Sequence, residues 1–368
     1  MALTIEDFTR EYSRIKTKRL SFFLVAVALL IVLAMVGITL GSGNLSIMDS
    51  YSALWKGFMP RLSGLISWIL TGSWAETVSD TPEIVIWDIR LHRILFALVA
   101  GFGLAIAGTI MQGILRNPLA SPFTLGISSA ASCGASVAII LFAGVTLVSG
   151  NLLVVLMAFA FAMMASFIIY SMARHKGLNS SSLILAGIAI MYLFSAITSL
   201  IQYFGSSDQA AAVVYWMFGS LEGTTWPKLF IVTAVIAILT PYVIMRAWDL
   251  NALAEGDEIA KSIGVPVERT MTVFMMISSV ITAVIIAFTG TIGFIGLVAP
   301  HITRMAIGND HRWLVPASGL VGAAILLGAD NLCRTLIYPS VIPVGIMTAF
   351  LGVPFFLYLF LRRGDTGW

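Results

Sequence analysis

Residues 290–301, GTIGFIGLVAPH, carry no charge apart from the terminal histidine, place glycines at 290, 293 and 296, and set Pro300 directly before His301. The stretch lies between long apolar runs, so it belongs at membrane depth. There, each backbone N–H or C=O left unpaired in hydrocarbon costs several kcal/mol, and irregular backbone survives only where protein buries it or where it lines a path through the membrane. One segment therefore predicts a polytopic membrane protein with a passage rather than a single anchor. Gly290, Gly293, Gly296 and Pro300 are expected to permit an irregular or very close-packed crossing that shapes this passage or its gate.

The rest of the chain agrees. Hydrophobic residues make up 59% of the 368 residues and charged residues 11%, against roughly 25% charged in a soluble domain. A bilayer crossing needs about 20 apolar residues, and the apolar runs predict ten, at 20–40, 91–111, 121–143, 150–173, 182–205, 227–247, 270–290, 294–307, 313–333 and 344–362. The fold class expected is all-α, with residues 1–19 as a cytoplasmic N-terminal segment and 20–368 as a single transmembrane domain.

Cations set the orientation. With the N-terminus inside, ten crossings return the C-terminus to the same side, and the cytoplasmic face holds Arg10, Arg14, Lys16, Lys18, Arg19, Arg116, Arg174, Lys176, Arg246, Lys261, Arg269, Arg304, Arg312, Arg362 and Arg363. Only Lys56, Arg61, Arg90, Arg93, Lys228 and Arg334 fall outside, as the positive-inside rule requires. The first span is too long for the h-region of a signal peptide and no small-residue cleavage site follows it, so it reads as an uncleaved helix. Cys133 and Cys333 lie in different spans without ligand spacing and read as small buried hydrophobes. His301 and Gln112 lack partners at metal-ligand spacing and read as local hydrogen-bonding groups.

Three connections stand out. Residues 41–89 form a long outer loop with Trp55, Trp68, Trp74 and Trp87, whose run LSGLISWIL is too short to cross and suits an interfacial helix. Residues 206–226 form a second outer loop with room for one short amphipathic helix. The third, inside, reads WDLNALAEGDEIAKSIGVPVER at 248–269. Asp257, Glu258 and Lys261 alternate there with Ile259, Ala260 and Ile263, which predicts a short two-faced helix ended by Gly264 and Pro266. Such a helix can dock into a groove on a soluble partner, and the same residues also suit a solvated loop. Between the second and third spans, RNPLASP at 116–122 carries a stop and turn signal in Asn117 and Pro118. It reads equally as a tight turn and as part of the inner mouth. Gly101, Gly103, Ala107 and Gly108 should let the second span pack closely on its neighbours.

Several stretches together resemble the iron-chelate and cobalamin uptake permeases, the membrane subunits of type II ATP-binding-cassette (ABC) importers. They are RLHRILFALVAGFGLAIAGTIMQGILRNPLASPFTLGIS at 90–128, YWMFGSLEGTTW at 215–226, GDEIAKSIGV at 256–265, GTIGFIGLVAPHITRMAIGNDHRWLVPASGLVGA at 290–323 and PVGIMTAFLGVPFFLYLFLRR at 343–363. The resemblance implies the type II ABC importer permease fold of ten helices per subunit, in the cytoplasmic membrane of a prokaryote. It also implies a second permease subunit (a second copy or a paralogue), a cytoplasmic ATPase carrying ATP and magnesium, and an extracytoplasmic substrate-binding protein. This chain would bind no cofactor and no nucleic acid.

By the same resemblance, residues 253–266 become the coupling region, with Gly256, Asp257, Glu258, Ala260, Lys261, Ile263 and Gly264 meeting the ATPase. Asn117 and Pro118 join the glycines and Pro300 at the pathway. Arg90, Arg93 and Arg334 become exposed docking arginines for acidic side chains of the binding protein, a use that suits a guanidinium fork, although the same positions suit snorkelling to lipid headgroups. Asp330, four residues before Arg334, is placed to hold it. Two positions depart from the family pattern: His92 stands where a proline is common, and PSVIPVG at 339–345 lacks an acidic residue. The cargo implied is an iron chelate such as a siderophore or haem, or a cobalamin-like complex.

The chain has no GxxxxGK[ST] phosphate loop, so it is expected to be no enzyme by itself and to depend on a separate ATPase. The alternative, a secondary transporter without an ATPase, needs ionisable carriers inside the spans, where only Asp330 stands, near an outer end.

Overall fold

The computed structural model describes residues 5–40, 45–71, 80–143, 150–176, 180–337 and 339–362, all helix or connection with no strand among them. Helix α1 (Ile5–Thr39) is followed by α2 (Ile47–Thr71) and α3 (Thr81–Ile84), which runs through a π-helical stretch, Val85–Leu91, into α4 (His92–Leu115). Then come α5 (Ile127–Ser136), α6 (Gly150–Lys176), α7 (Ser180–Phe204), α8 (Ser207–Met217), α9 (Trp226–Met245), α10 (Ala247–Glu255), α11 (Asp257–Ser262), α12 (Val267–Thr289), α13 (Ile295–Ile307), α14 (His311–Cys333) and α15 (Val344–Arg362).

Among the described residues, seven helices are long and apolar enough to cross a membrane, and three shorter apolar helices, Ile127–Leu141, Ile295–Ile307 and Val344–Tyr358, fall where the other three crossings are expected. The third crossing starts later than the hydropathy suggests. Ser121 and Thr124 form a capping box around a 3-10 turn at Pro122–Leu125, and Gly126 follows at φ +72°, so a regular helix can begin only at Ile127.

Helix α4 is the hub. Of its most apolar window 78% is buried, against 17% for the first span. Close approach explains this, as small residues permit in membrane bundles. A Cβ on Gly101 would collide with Gly322 of α14, and one on Gly108 with the Gly296 carbonyl of α13. The first contact pairs α4 with α14 and the second fixes α13. Ser278 of α12 adds a hydrogen bond to the Ala107 carbonyl at 2.9 Å.

The long segment expected as an outer loop departs from that expectation. It holds a 25-residue helix with Pro60 inside, and its last part is already helical and continuous with α4. Trp55 is exposed as expected of an interfacial ring, but Trp87 is buried and donates to the Ala53 carbonyl at 3.3 Å. Gly57 makes room for that indole, and Arg61 caps its face at 4.8 Å while pairing with Asp88 at 3.2 Å. So α2 clamps the entrance of α4. Trp74 and parts of the predicted loop, 41–44 and 72–79, lie outside the described residues, as do 1–4 and 363–368.

Candidate functional site

The predicted break exists. Helix α12 stops at Thr289 because Gly290 takes φ +70°, ψ −165°, and the chain stays non-helical until Ile295, with Phe294 itself left-handed at φ +67°. Several of its polar groups, and those of the segments around it, pair within the protein. Ser220 N donates to Thr289 O at 2.7 Å, Gly345 N donates to Gly219 O at 3.3 Å, and Thr291 Oγ1 donates to the Met217 carbonyl. Three segments distant in sequence, 217–220, 289–295 and 343–347, thus share one hydrogen-bonding junction, as irregular backbone in a membrane requires.

The glycines divide by role. A Cβ on Gly290 would strike the Trp216 carbonyl, and one on Gly296 would press on the Leu104 carbonyl at 2.8 Å. Pro300, four residues on, has no N–H for Gly296 O, and this carbonyl instead points at Gly108 of α4. Of the two expected alternatives, irregular or very close-packed, Gly293 meets only the first: it lies in the non-helical stretch, and nothing lies within 4 Å of where its Cβ would be. It faces a cavity of about 610 Å³ lined by Phe123, Met217, Phe218, Thr291 and Phe350 among others, with no charged side chain on its wall.

At one end of the bundle lies the predicted coupling region. Helix α10 ends at Gly256, whose φ +126°, ψ 154° suits glycine alone, and α11 follows for six residues, Asp257–Ser262. Gly264, at φ +86°, reverses the chain, and Val265 N donates back to Ala260 O at 2.9 Å. Ala260 is buried beneath, while Glu258, Lys261, Ile259 and Ile263 stand exposed, the two isoleucines by 51% and 65%. The expected apolar face is therefore split, with only alanine turned to the bundle. Asp257 is paired with Arg116, which occupies a left-handed φ of 48° at the end of α4. Asn117 Oδ1 accepts from Leu119 N at 2.9 Å, closing the turn at Pro118 beside α11.

A second aspartate at this end was not anticipated. Asp310 caps α14, accepting from Arg312 N, and also receives Arg312 at 2.7 Å, Arg19 of α1 at 3.3 Å and Asn251 of α10 at 3.0 Å. Asn251 Oδ1 in turn accepts from His311 N at 2.7 Å. Partial burial raises the carboxyl of Asp310, but the Arg312 and Asn251 donors outweigh it and hold the group well below the usual carboxylate range. The sequence signal was an Asn-Asp pair before an apolar run, a helix N-cap pattern.

At the opposite end, Arg90, Arg93 and Arg334 are not exposed forks: each is buried, at 3%, 7% and 8% exposure. Arg90 donates to Ile38 O at 2.7 Å and Thr39 O at 3.2 Å, and Arg334 to Gly37 O and Leu40 O, both at 3.1 Å. Two guanidiniums therefore take the four carbonyls that end α1, groups with no partner inside their own helix, at the negative end of its dipole. Arg93 donates through Nε to the fully buried Asp330 at 2.9 Å, and Arg334 pairs with the other oxygen of Asp330 at 3.1 Å. The predicted Asp330–Arg334 pair is present, and Arg93 makes it a triad. His92, the departure from the family pattern, places Nε2 2.6 Å from Thr224 O and so ties the 222–226 connection to α4. The three arginines line a cavity of about 220 Å³, whose wall also carries Asp88 and Glu222. Gln112 donates to Leu297 O at 3.4 Å and both cysteines are buried thiols.

The FecCD transport family matches residues 29–362. The chain is 38% identical over 302 residues to the hemin transport system permease protein of Yersinia pestis, covering 82% of this chain and 90% of that one. It is 37% identical over 311 residues to the cobalamin import system permease protein of Halobacterium salinarum, covering 83% and 82%, and 35% identical over 364 residues to an uncharacterised ABC transporter permease of Bacillus subtilis, covering 98% of each. Among solved structures, an inward-facing ABC transporter assigned to the metal-chelate type superposes with TM-score 0.76 at 28% identity, over 94% of this chain and 99% of that one.

Proposed function

The chain belongs to the FecCD transport family, and from that premise we propose that it is the permease subunit of a type II ABC importer for an intact metal chelate, haem or a cobalamin-like complex. The observation that carries the reading is α11, a six-residue helix flanked by Gly256 and Gly264. It offers Ile259 and Ile263 to solvent while Asp257 ties it to the end of α4. A short helix displayed in this way fits a cleft on a separate ATPase, which supplies the ATP and magnesium that this chain has no phosphate loop to bind. Cargo would pass beside the uncharged cavity at Gly293, against a second permease subunit. In this reading both termini and α11 are cytoplasmic, and the basic end of α1 agrees with the positive-inside rule.

An external binding protein would approach the opposite end. Since Arg90, Arg93 and Arg334 already have internal partners, an acidic side chain of that protein would enter the mouth of the 220 Å³ cavity beside Asp88 and Glu222 rather than meet free forks. The secondary-transport alternative lacks its carrier: Asp330 lies fully buried, ion-paired to both Arg93 and Arg334.

The test is Gly264→Ile in proteoliposomes with the cognate ATPase and binding protein. A β-branched residue in left-handed backbone costs about 1–2 kcal/mol, enough to displace α11. Expected is ATP hydrolysis near the wild-type rate with uptake reduced roughly tenfold, the ratio that 1.4 kcal/mol corresponds to. Wild-type uptake per ATP in this variant would overturn the coupling assignment.

A further inference from the structure

Helix α1 presents two unlike faces. One is fixed to the bundle: Arg19 pairs with Asp310 at 3.3 Å, Phe23 meets Trp313 edge-on at 5.9 Å, and the Leu33 and Gly37 carbonyls accept from Asn331 and Arg334. At about 100° per residue these positions fall within a narrow arc. A second arc, about 110° round the helix from the first, holds Arg14, Lys18, Val25, Leu29 and Val32, all exposed, the three apolar side chains by 66%, 47% and 55%. Neither Arg14 nor Lys18 has an ion-pair partner among the described residues. Glu11, also exposed, lies one turn farther from the bilayer.

We propose that this face of α1 seats an anionic phospholipid, with its phosphate and acidic headgroup held by Arg14 and Lys18 and an acyl chain laid along Val25, Leu29 and Val32. Three physical points favour that occupant. The Arg19–Asp310 pair fixes the depth of Lys18 at the level where α14 begins, so the cations cannot slide away from the headgroup layer. From Lys18 to Val32 the helix rises about 21 Å, more than the ~15 Å of hydrocarbon in one leaflet, so one continuous apolar strip lies beneath the cations. A second copy of the chain pairing through the same face about a two-fold axis would set Arg14 and Lys18 against their own images, a like-charge contact that an anionic lipid turns into attraction.

The experiment is native mass spectrometry of the full chain titrated with phosphatidylglycerol or phosphatidylcholine of identical acyl chains. A cation near an anionic lipid surface contributes about fivefold to binding, so the Arg14→Gln/Lys18→Gln variant should lose roughly 25-fold in phosphatidylglycerol affinity and bind phosphatidylcholine as before. Val25→Ser/Leu29→Ser should weaken both lipids together. Inorganic phosphate should fail to compete at the lipid's own concentration, because it lacks the chain that the strip holds. An unchanged phosphatidylglycerol preference in the charge variant, or competition by phosphate alone at that concentration, overturns the proposal. The readout needs no uptake, so its failure is separate from any failure of the importer reading.

Discussion

Asp330 and Asp310 sit at opposite ends of α14, and each gathers arginines from two helices, yet they do different work. Asp330 is wholly buried, and its triad with Arg93 and Arg334 merges with the guanidinium cap on the last carbonyls of α1. The carboxylate of Asp310 keeps 16% of its side-chain surface exposed, and one partner, Arg312, is 44% exposed. The difference in burial decides the energetics. A buried pair is costly to make and far costlier to break, since the partner left behind is a charge in a low-dielectric site. A half-hydrated pair exchanges its partner for water. In the orientation proposed above, the Asp330 end is the outer one and forms a lock that joins α1, α4 and α14, while the Asp310 end is the inner one and forms a joint where α10, and with it α11, meets α14 and α1.

The largest effect should follow from breaking the lock. Asp330→Ala strands Arg93 and Arg334 without counter-charge, and the expected loss is about 3–5 kcal/mol, read from unfolding curves in detergent. Asp330→Asn should fall between this variant and wild type, since the amide still accepts a hydrogen bond. Near wild-type stability in Asp330→Ala would erase the contrast between the two ends. Reversing the arginines themselves to Glu would place a new carboxylate beside Asp330, so such a variant reports on folding before it reports on any docking partner.

What the sequence could convey depended on the range of each interaction. Crossings, the break at Gly290 and the Asp330–Arg334 pair were legible because each is written in adjacent residues: an apolar run, a glycine at a helix end, an i, i+4 spacing. The burial of Arg90 and Arg334 was not, because the carbonyls they cap at the end of α1 include those of Thr39 and Gly37, 51 and 297 residues away, and charge counting treats a cation at a helix end the same whether it faces water or another helix. Asp310 was hidden likewise, its partners lying 59 and 291 residues off. Trp87 had the composition of an interfacial ring, and only the packing of Ala53 and Gly57 of α2 against it reveals a buried one. At Gly293 the spacing left irregular backbone and close contact both open, and only the geometry, with open space where a Cβ would stand, decides for the first.

The joint should respond less than the lock. Asp310→Asn removes a charged acceptor and weakens the cap of α14, for an expected loss of about 2 kcal/mol. The sign of its pH dependence follows from the depressed carboxyl: the contribution is fully present above the unfolded value near pH 4 and is lost as pH falls toward the lower folded value. Wild type and Asp310→Asn should therefore differ most at neutral pH and converge below about pH 4. Unfolding curves that stay parallel down to acid would show that Asp310 carries no such contribution and that the inner end is held by packing alone.

The smallest stability effect, and the sharpest test of the joint, concerns Arg116 and Asp257. Their side chains are 35% and 39% exposed, and an exposed pair contributes about 0–1 kcal/mol after screening. Arg116→Gln should thus barely shift the unfolding curve. Its place is the point: the pair links α11 to the end of α4, whose other end enters the lock through Arg93. In proteoliposomes with the ATPase, Arg116→Gln and Asp257→Asn should each raise the ATP hydrolysed per cargo taken up, and the double variant should do no worse than either alone, because both remove one interaction. Additive losses would mean that the two residues act separately. A stability loss in Arg116→Gln as large as in Asp330→Ala would mean that the inner end is itself a lock, with burial no guide to which end of this helix pair can move.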